Sequence, residues 1–235
     1  MTASSISIRR LHLHFDFVLP HNYLQMATES QIQEFIKWAH RAGAEQLSLC
    51  SSGNLSWRIS DDEVLVSATG SWLSDLRPED VSVCRLSDET VLNGVKPSRE
   101  ARFHLGIFRQ RPEVRAILHF QSTYATAIAC MKNRPASINL TAEIPIYVGE
   151  DIPVVPYLMP GSQQLAEAVI EAMKNHDSCF LANHGEVVAG SSLADAFQKA
   201  VFFEMGCRFA VLTQGNANVM SADDLAALRI LTGKH

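Results

Sequence analysis

Four side chains of the kinds used for metal and proton chemistry stand where a fold would present them: Glu100, His119, Gln121 and His184. His119 closes the apolar run "VRAIL", and His184 sits in the break Asn183-His184-Gly185 between "CFLA" and "VVAG". Strand ends and the loops beside them are where rigid scaffolds display functional groups. If His119 held a metal ion, the residue two positions on would share its strand face and should be a second ligand. That residue is Gln121, whose amide oxygen is a harder and less basic donor than imidazole. Glu100, in "KPSRE", falls in the first turn of a helical pattern. Each residue alone has a plainer reading. A histidine at a strand end can satisfy a core carbonyl, and an acid favours the positive end of a helix. Two imidazoles and a carboxylate together match a catalytic zinc donor set.

Two turns complete the inventory. "SSGNLS" (Ser51 to Ser56) and "SATGSW" (Ser67 to Trp72) combine glycine with hydroxyls and an amide. Such turns can aim backbone N–H groups at a phosphate, or serve only as turns. "HLH" at His12 and His14 is the single true His-x-His, but it lies in the N-terminal arm with no helix cap behind it, so we read it as a non-ligand.

The elements that must position these groups follow from periodicity. Ile32, Phe35, Ile36 and Ala39 lie at helical spacing, with Thr28 or Ser30 to cap and Gly43 to terminate. "NLSWRIS" and "VLVSA", separated by Asp61-Asp62, read as a hairpin, and "DVSVCRL" as a further strand. A helix opened by Pro97-Ser98 carries Phe103, Ile107 and Phe108. "VRAILHF" is a buried strand with a short helix from Ser122 behind it. Proline-punctuated segments, a capped helix from Ser162, two short strands around His184, a long helix over about 192–213 and a helix capped by Ser221 finish the chain. Hairpins mixed with helices predict an α/β fold, with a mixed or antiparallel central sheet flanked by helices rather than a doubly wound parallel one.

Length and composition set limits. A chain of 235 residues suits one domain with additions, and 47% hydrophobic with 19% charged residues is a globular balance. The net charge of −5, with no basic cluster, argues against nucleic acid as a partner. No apolar run nears the ~18 residues of a membrane span. Five scattered cysteines without a C-x-x-C pair, four of them in apolar surroundings, fit a reducing, cytoplasmic setting. Residues 1–27 read as an arm or an upstream extension, with Met26 an alternative start, and 28–235 as the domain proper.

"SSGNLS", "SATG", "KPSRE", "VRAILHFQS" and "LANHGEVVAG", in that order, resemble the class II aldolase/adducin family, whose members include L-fuculose-1-phosphate aldolase and L-ribulose-5-phosphate 4-epimerase. The resemblance implies a single α/β domain, a homotetramer with active sites between subunits, and a divalent ion, usually Zn²⁺, held by three histidines. Those positions here are His119, Gln121 and His184, with Glu100 matching the acid/base carboxylate. Gly53, Asn54, Thr69, Gly70 and Ser98 match the phosphate cradle, and Arg99 replaces a second small residue there. Gln121 departs from the pattern and shifts the expected preference toward Mn²⁺ or Mg²⁺, or toward loss of metal. The implied activity is an aldolase-type lyase acting on a small sugar phosphate or a related aldehyde or ketone. An epimerase, a dehydratase and a non-catalytic adducin-like module are the alternatives. Glu143 or Tyr147 is a candidate second acid/base group, Tyr147 being read first as packing.

Overall fold

In the computed structural model, which describes residues 27–233, seven strands form one sheet: β1 Asn54–Arg58, β2 Glu63–Ser67, β3 Val81–Arg85, β4 Ala116–Phe120, β5 Val154–Val155, β6 Ser178–Leu181 and β7 Gly185–Gly190. His12, His14 and the expected arm lie outside the described residues. The strand order is β3-β2-β1-β4-β7-β6-β5. Every pairing is antiparallel except β5 with β6, so the sheet is mixed, as the hairpin-and-helix pattern predicts.

Among the described residues there are six α-helices, α1 Glu29–Ala44, α2 Ala101–Gln110, α3 Thr123–Cys130, α4 Gln163–Ala172, α5 Leu193–Leu212 and α6 Ala222–Thr232, of which α6 buries no side chain of its own. The period-2 alternation of β4 divides the core. Ala116, Leu118 and Phe120 point into a cluster with Phe35 of α1, Ala125 and Ile128 of α3 and Phe203 of α5. Ile117 points the other way, into a cluster with Phe103, Ile107 and Phe108 of α2 and Leu165 and Val169 of α4. Burying each such large side chain contributes about 1.5–3 kcal/mol relative to exposure. His119, next on the Ile117 face, therefore points toward α2, and the Phe103 ring lies edge-on to it at 6.0 Å.

Helix ends follow local chemistry in most places. Thr28 accepts from Gln31 N, and Gln31 reaches back to the Thr28 N–H, a reciprocal cap that starts α1. Ser162, Ser192 and Ser221 cap α4, α5 and α6. α2 begins later than its sequence implies. Thr69 N donates to Lys96 O and Ser98 N to Ser67 O, so Pro97-Ser98 is held extended against the end of β2. The helix consequently starts at Ala101, and Glu100 is its N-cap rather than a first-turn acid. Three cysteines, Cys84, Cys179 and Cys207, are buried, while Cys50 and Cys130 are exposed, one fewer in apolar surroundings than the sequence indicates.

Behind β7 a charged network ties helix to sheet. Lys199, 7% exposed, donates to Asp177 at 2.8 Å and to Ala189 O at 2.9 Å, and Arg111 holds the other Asp177 oxygen at 2.7 Å. Burial pushes the Asp177 carboxyl up, but Lys199 and Arg111 outweigh it and hold the group below the usual carboxylate range. A depressed folded value stabilises the fold above the unfolded pKa of about 3.9, and that contribution is lost as pH falls through the folded value. Asp177→Asn is therefore expected to be less stable than wild type at pH 7. Urea melts at stepwise lower pH should close the gap below pH ~4, and a gap constant across pH would contradict the assignment.

Candidate metal centre and substrate cavity

Antiparallel pairing gathers the site. β1 and β7 both run against β4, so their first residues lie beside the last residues of β4. Asn54 is directly opposite His119 on one side, and Val187 is opposite it on the other. His184, one residue before β7, thus arrives beside His119, their rings 4.9 Å apart. Two glycines permit the approach. Gly53 adopts φ +77°, and a Cβ there would stand 2.7 Å from His119 O; at Gly185 a Cβ would stand 2.5 Å from Phe120 O. Glu100 enters from the α2 face.

The carboxylate meets both imidazoles. His119 Nε2 lies 3.3 Å from Glu100 Oε2 and His184 Nε2 3.4 Å from Glu100 Oε1. One ligand atom from each of the three residues falls within 4.8 Å of the others, and this is the one such cluster of His, Cys, Asp or Glu among the described residues. The side chains are 1%, 9% and 8% exposed for His119, Glu100 and His184.

Hydrogen-bond direction tests whether a cation fits. His119 Nδ1 is 2.8 Å from the Glu186 carbonyl, which only accepts, so Nδ1 carries the proton and Nε2 presents a lone pair. That lone pair faces a carboxylate oxygen. Among the described residues, buried Nε2 of His119 and Oε1 of Glu100 have no hydrogen-bond partner, nor does Nδ1 of His184. Burial and then His119 lower the His184 pKa, partly opposed by Glu100, which keeps that ring neutral at pH 7, the form that binds metals. His119 Nε2 and Glu100 Oε1, buried acceptors without a donor in a cluster that His184 Nε2 also reaches, are what a divalent cation satisfies. The residues fit the ion.

Around them lies an open cavity of about 330 Å³. Gly53, Asn54, Thr69, Gly70, Ser98, Arg99 and Gln121 all line it, so the structure brings the cradle residues of the sequence reading to the same place as Glu100, His119 and His184. Ser51, Ser52, Ser71, Pro160 and Gly161 also line it. The first three belong to the glycine turns, whereas nothing near Pro160-Gly161 in sequence points to the site. Glu143 and Tyr147 are not in this cavity. Ile144–Val148 form a π-helical turn, and Tyr147 stacks on Phe202 at 5.0 Å.

Residues 33–211 match the family described as Class II Aldolase and Adducin N-terminal domain. The chain belongs to the class II aldolase and adducin family. It is similar to a 3-oxo-tetronate 4-phosphate decarboxylase of Haemophilus influenzae, 39% identical over 166 residues that cover 70% of this chain and 79% of that protein. Among solved structures, YgbL of Escherichia coli superposes with a TM-score of 0.80 at 30% identity, covering 85% and 98% of the two chains. An L-fuculose 1-phosphate aldolase superposes with the same TM-score of 0.80 at 26% identity, covering 88% and 98%. The decarboxylase and the aldolase named here are both lyases, and the chain is an enzyme of the class II aldolase family. No helix among the described residues is long and apolar enough to cross a membrane.

Within the class II aldolase frame, Gln121, the residue after β4, faces the cavity. Its Cγ packs where a Gly185 side chain would stand, and among the described residues its amide has no hydrogen-bond partner. Arg99 likewise lines the cavity, with no ion-pair partner among the described residues, while its Cβ lies against Gly161.

Proposed function

We propose that this enzyme is a divalent-metal-dependent lyase that breaks a carbon–carbon bond beside the carbonyl of a small phosphorylated sugar or sugar acid. The observation that carries the reading is the convergence of ligand atoms of Glu100, His119 and His184 within 4.8 Å, with His119 Nε2 and Glu100 Oε1 buried and donorless. In this reading His119 Nε2, His184 and Glu100 hold the ion, with Gln121 a weak or outer oxygen donor. A bound divalent ion would polarise the substrate carbonyl and stabilise negative charge as the bond breaks. Thr69, Gly70, Ser98 and the backbone at Gly53 and Asn54 hold a phosphate, which fixes the carbonyl against the reacting centre. Glu100 keeps one oxygen on the Asn54 amide and the other toward the cavity, from where it takes or returns a proton.

Decarboxylation is the branch that Arg99 favours over aldol cleavage. A β-keto acid phosphate carries two anionic ends, and the free Arg99 guanidinium is the one cation lining the cavity among the described residues. The bond from the carboxylate to the α-carbon breaks, CO₂ leaves, the electron pair is delocalised onto the carbonyl oxygen as an enediolate, and a proton taken from water is delivered to carbon through Glu100. The likeness to 3-oxo-tetronate 4-phosphate decarboxylase agrees with this branch. We further place the enzyme in the cytoplasm as a homotetramer with sites between subunits, built on residues 28–235 with 1–27 as an arm. Zn²⁺ is the expected ion, with Mn²⁺ or Mg²⁺ as alternatives.

Calorimetric titration with Zn²⁺ and Mn²⁺, followed by assay with 3-oxo-tetronate 4-phosphate and L-fuculose 1-phosphate, tests the proposal. Wild type should bind an ion and release CO₂ from the first substrate. Gln121→His should bind Zn²⁺ about 10-fold or more tightly than wild type, because neutral imidazole is the better zinc ligand. If neither protein binds either ion at micromolar concentration, the metal-dependent reading falls.

A further inference from the structure

Behind Glu100 lies a second row of polar groups that reach neither the cavity nor solvent. His104 follows Glu100 by one helical turn and is fully buried, its ring stacked on Phe103 at 4.5 Å. Ser56 follows Asn54 by two residues and so shares its face of β1; both are buried. Helix and strand together make a two-by-two array. Asn54 Nδ2 donates to Glu100 Oε2 at 2.9 Å, Asn54 Oδ1 meets His104 Nε2 at 2.5 Å, and His104 Nδ1 meets Ser56 Oγ at 2.7 Å.

The directions along this chain follow from its two ends. An ionised carboxylate only accepts, so the Asn54 NH₂ faces Glu100 and the amide oxygen faces His104. An amide oxygen also only accepts, so Nε2 of His104 carries the proton and Nδ1 is the lone pair. Ser56 Oγ–H must then donate. One tautomer and one amide orientation satisfy all four groups. Burial lowers the His104 pKa well below the ordinary imidazole value, with His119 adding to it, which agrees with a neutral ring bearing a single proton. Among the described residues the ring nitrogens have no other partner, so the imidazole serves this link.

We propose that His104, anchored by Ser56, is the positioning residue for Glu100: it locks the Asn54 amide so that an N–H, not an oxygen, faces the carboxylate. Without the imidazole, Asn54 Oδ1 loses its donor in a buried place and the amide is free to turn. A turned amide sets oxygen against Glu100 Oε2, swings the carboxylate off the line to His119 and His184, and spoils it as ligand and proton carrier. The inference rests on the reading of Glu100 as a metal ligand given above.

The test is calorimetric titration of the purified, chelator-treated chain with Mn²⁺ and with Zn²⁺, alongside thermal melts. His104→Leu keeps bulk and removes both polar ends; it should bind about 10–100-fold more weakly than wild type, the usual loss when an outer partner of a ligand is removed. His104→Gln restores an N–H that can reach Asn54 Oδ1 and should stay within about 3-fold of wild type, since it keeps the orienting bond. Ser56→Ala should fall between the two. If His104→Leu binds as wild type does, or if Leu and Gln lose affinity equally, the ring acts by packing and the positioning role is overturned. If His104→Leu does not fold, Ser56→Ala decides: unchanged affinity in folded protein overturns the proposal, and a weakened one supports it. A wild type that binds neither ion instead overturns the metal reading on which the inference stands.

Discussion

His119→Ala is expected to remain folded and to lose Zn²⁺ and Mn²⁺ binding by more than about 100-fold, since loss of a mere outer partner already costs about 10–100-fold. The side chain is almost wholly buried, and its Nδ1–H on Glu186 O aims Nε2 at the point where Glu100 and His184 converge. Removing it leaves one imidazole and one carboxylate, too few for the three protein ligands usual in a catalytic zinc site. Two measurements check this. Calorimetry reads the affinity directly, and a melt with and without ion reads the linked stabilisation, which exists only if the folded state binds. Wild type should melt higher with the ion and His119→Ala should not. His14→Ala, outside the described residues and outside the family motifs, should behave as wild type. Equal affinity in His119→Ala would remove His119 from the metal site.

Glu204→Ala is expected to destabilise the fold by about 3 kcal/mol, from the loss of several charge-assisted bonds at 1.5–3 kcal/mol each, partly recovered by water. Glu204, on α5, accepts from Ser122 Oγ at 2.7 Å, Tyr124 N at 2.9 Å and Ala125 N at 2.8 Å. It is the cap of α3 supplied from a distant helix: Ser122 holds the N-cap position but its hydroxyl donates to Glu204 instead of accepting from α3. A carboxylate there also sits at the positive end of the helix. Burial and then Glu204 push the neighbouring Glu186 carboxyl well above its usual range, which lessens the repulsion that would offset the cap. For a domain of this size the melting temperature should drop by roughly 6–12 °C, at about 2–4 °C per kcal/mol. Glu204→Gln, which keeps one accepting oxygen, should fall between. A Glu204→Ala protein that melts within 2 °C of wild type, a shift of about 1 kcal/mol or less, would show that α3 needs no such cap.

Much of the site was legible because its signals are local. A histidine at the end of an apolar strand, a glycine where φ must be positive and an acid beside a helix start each depend on a few neighbours along the chain, and so does the alternation that puts His119 and Gln121 on one face. The motif order added what periodicity lacks, namely that these segments meet. The start of α2 was misplaced because Pro97-Ser98 looks like a helix opening in isolation, whereas pairing with β2 holds it extended. Tertiary structure alone decided the bonds that hold the site in shape. Asn54 to Glu100, His104 to Asn54 and Ser122 to Glu204 span 46, 50 and 82 positions. Their partners are chosen by strand register and helix docking, which place any polar group opposite any other regardless of distance along the chain. Residue type says that a buried asparagine or histidine must find a partner; only the packed fold says which one.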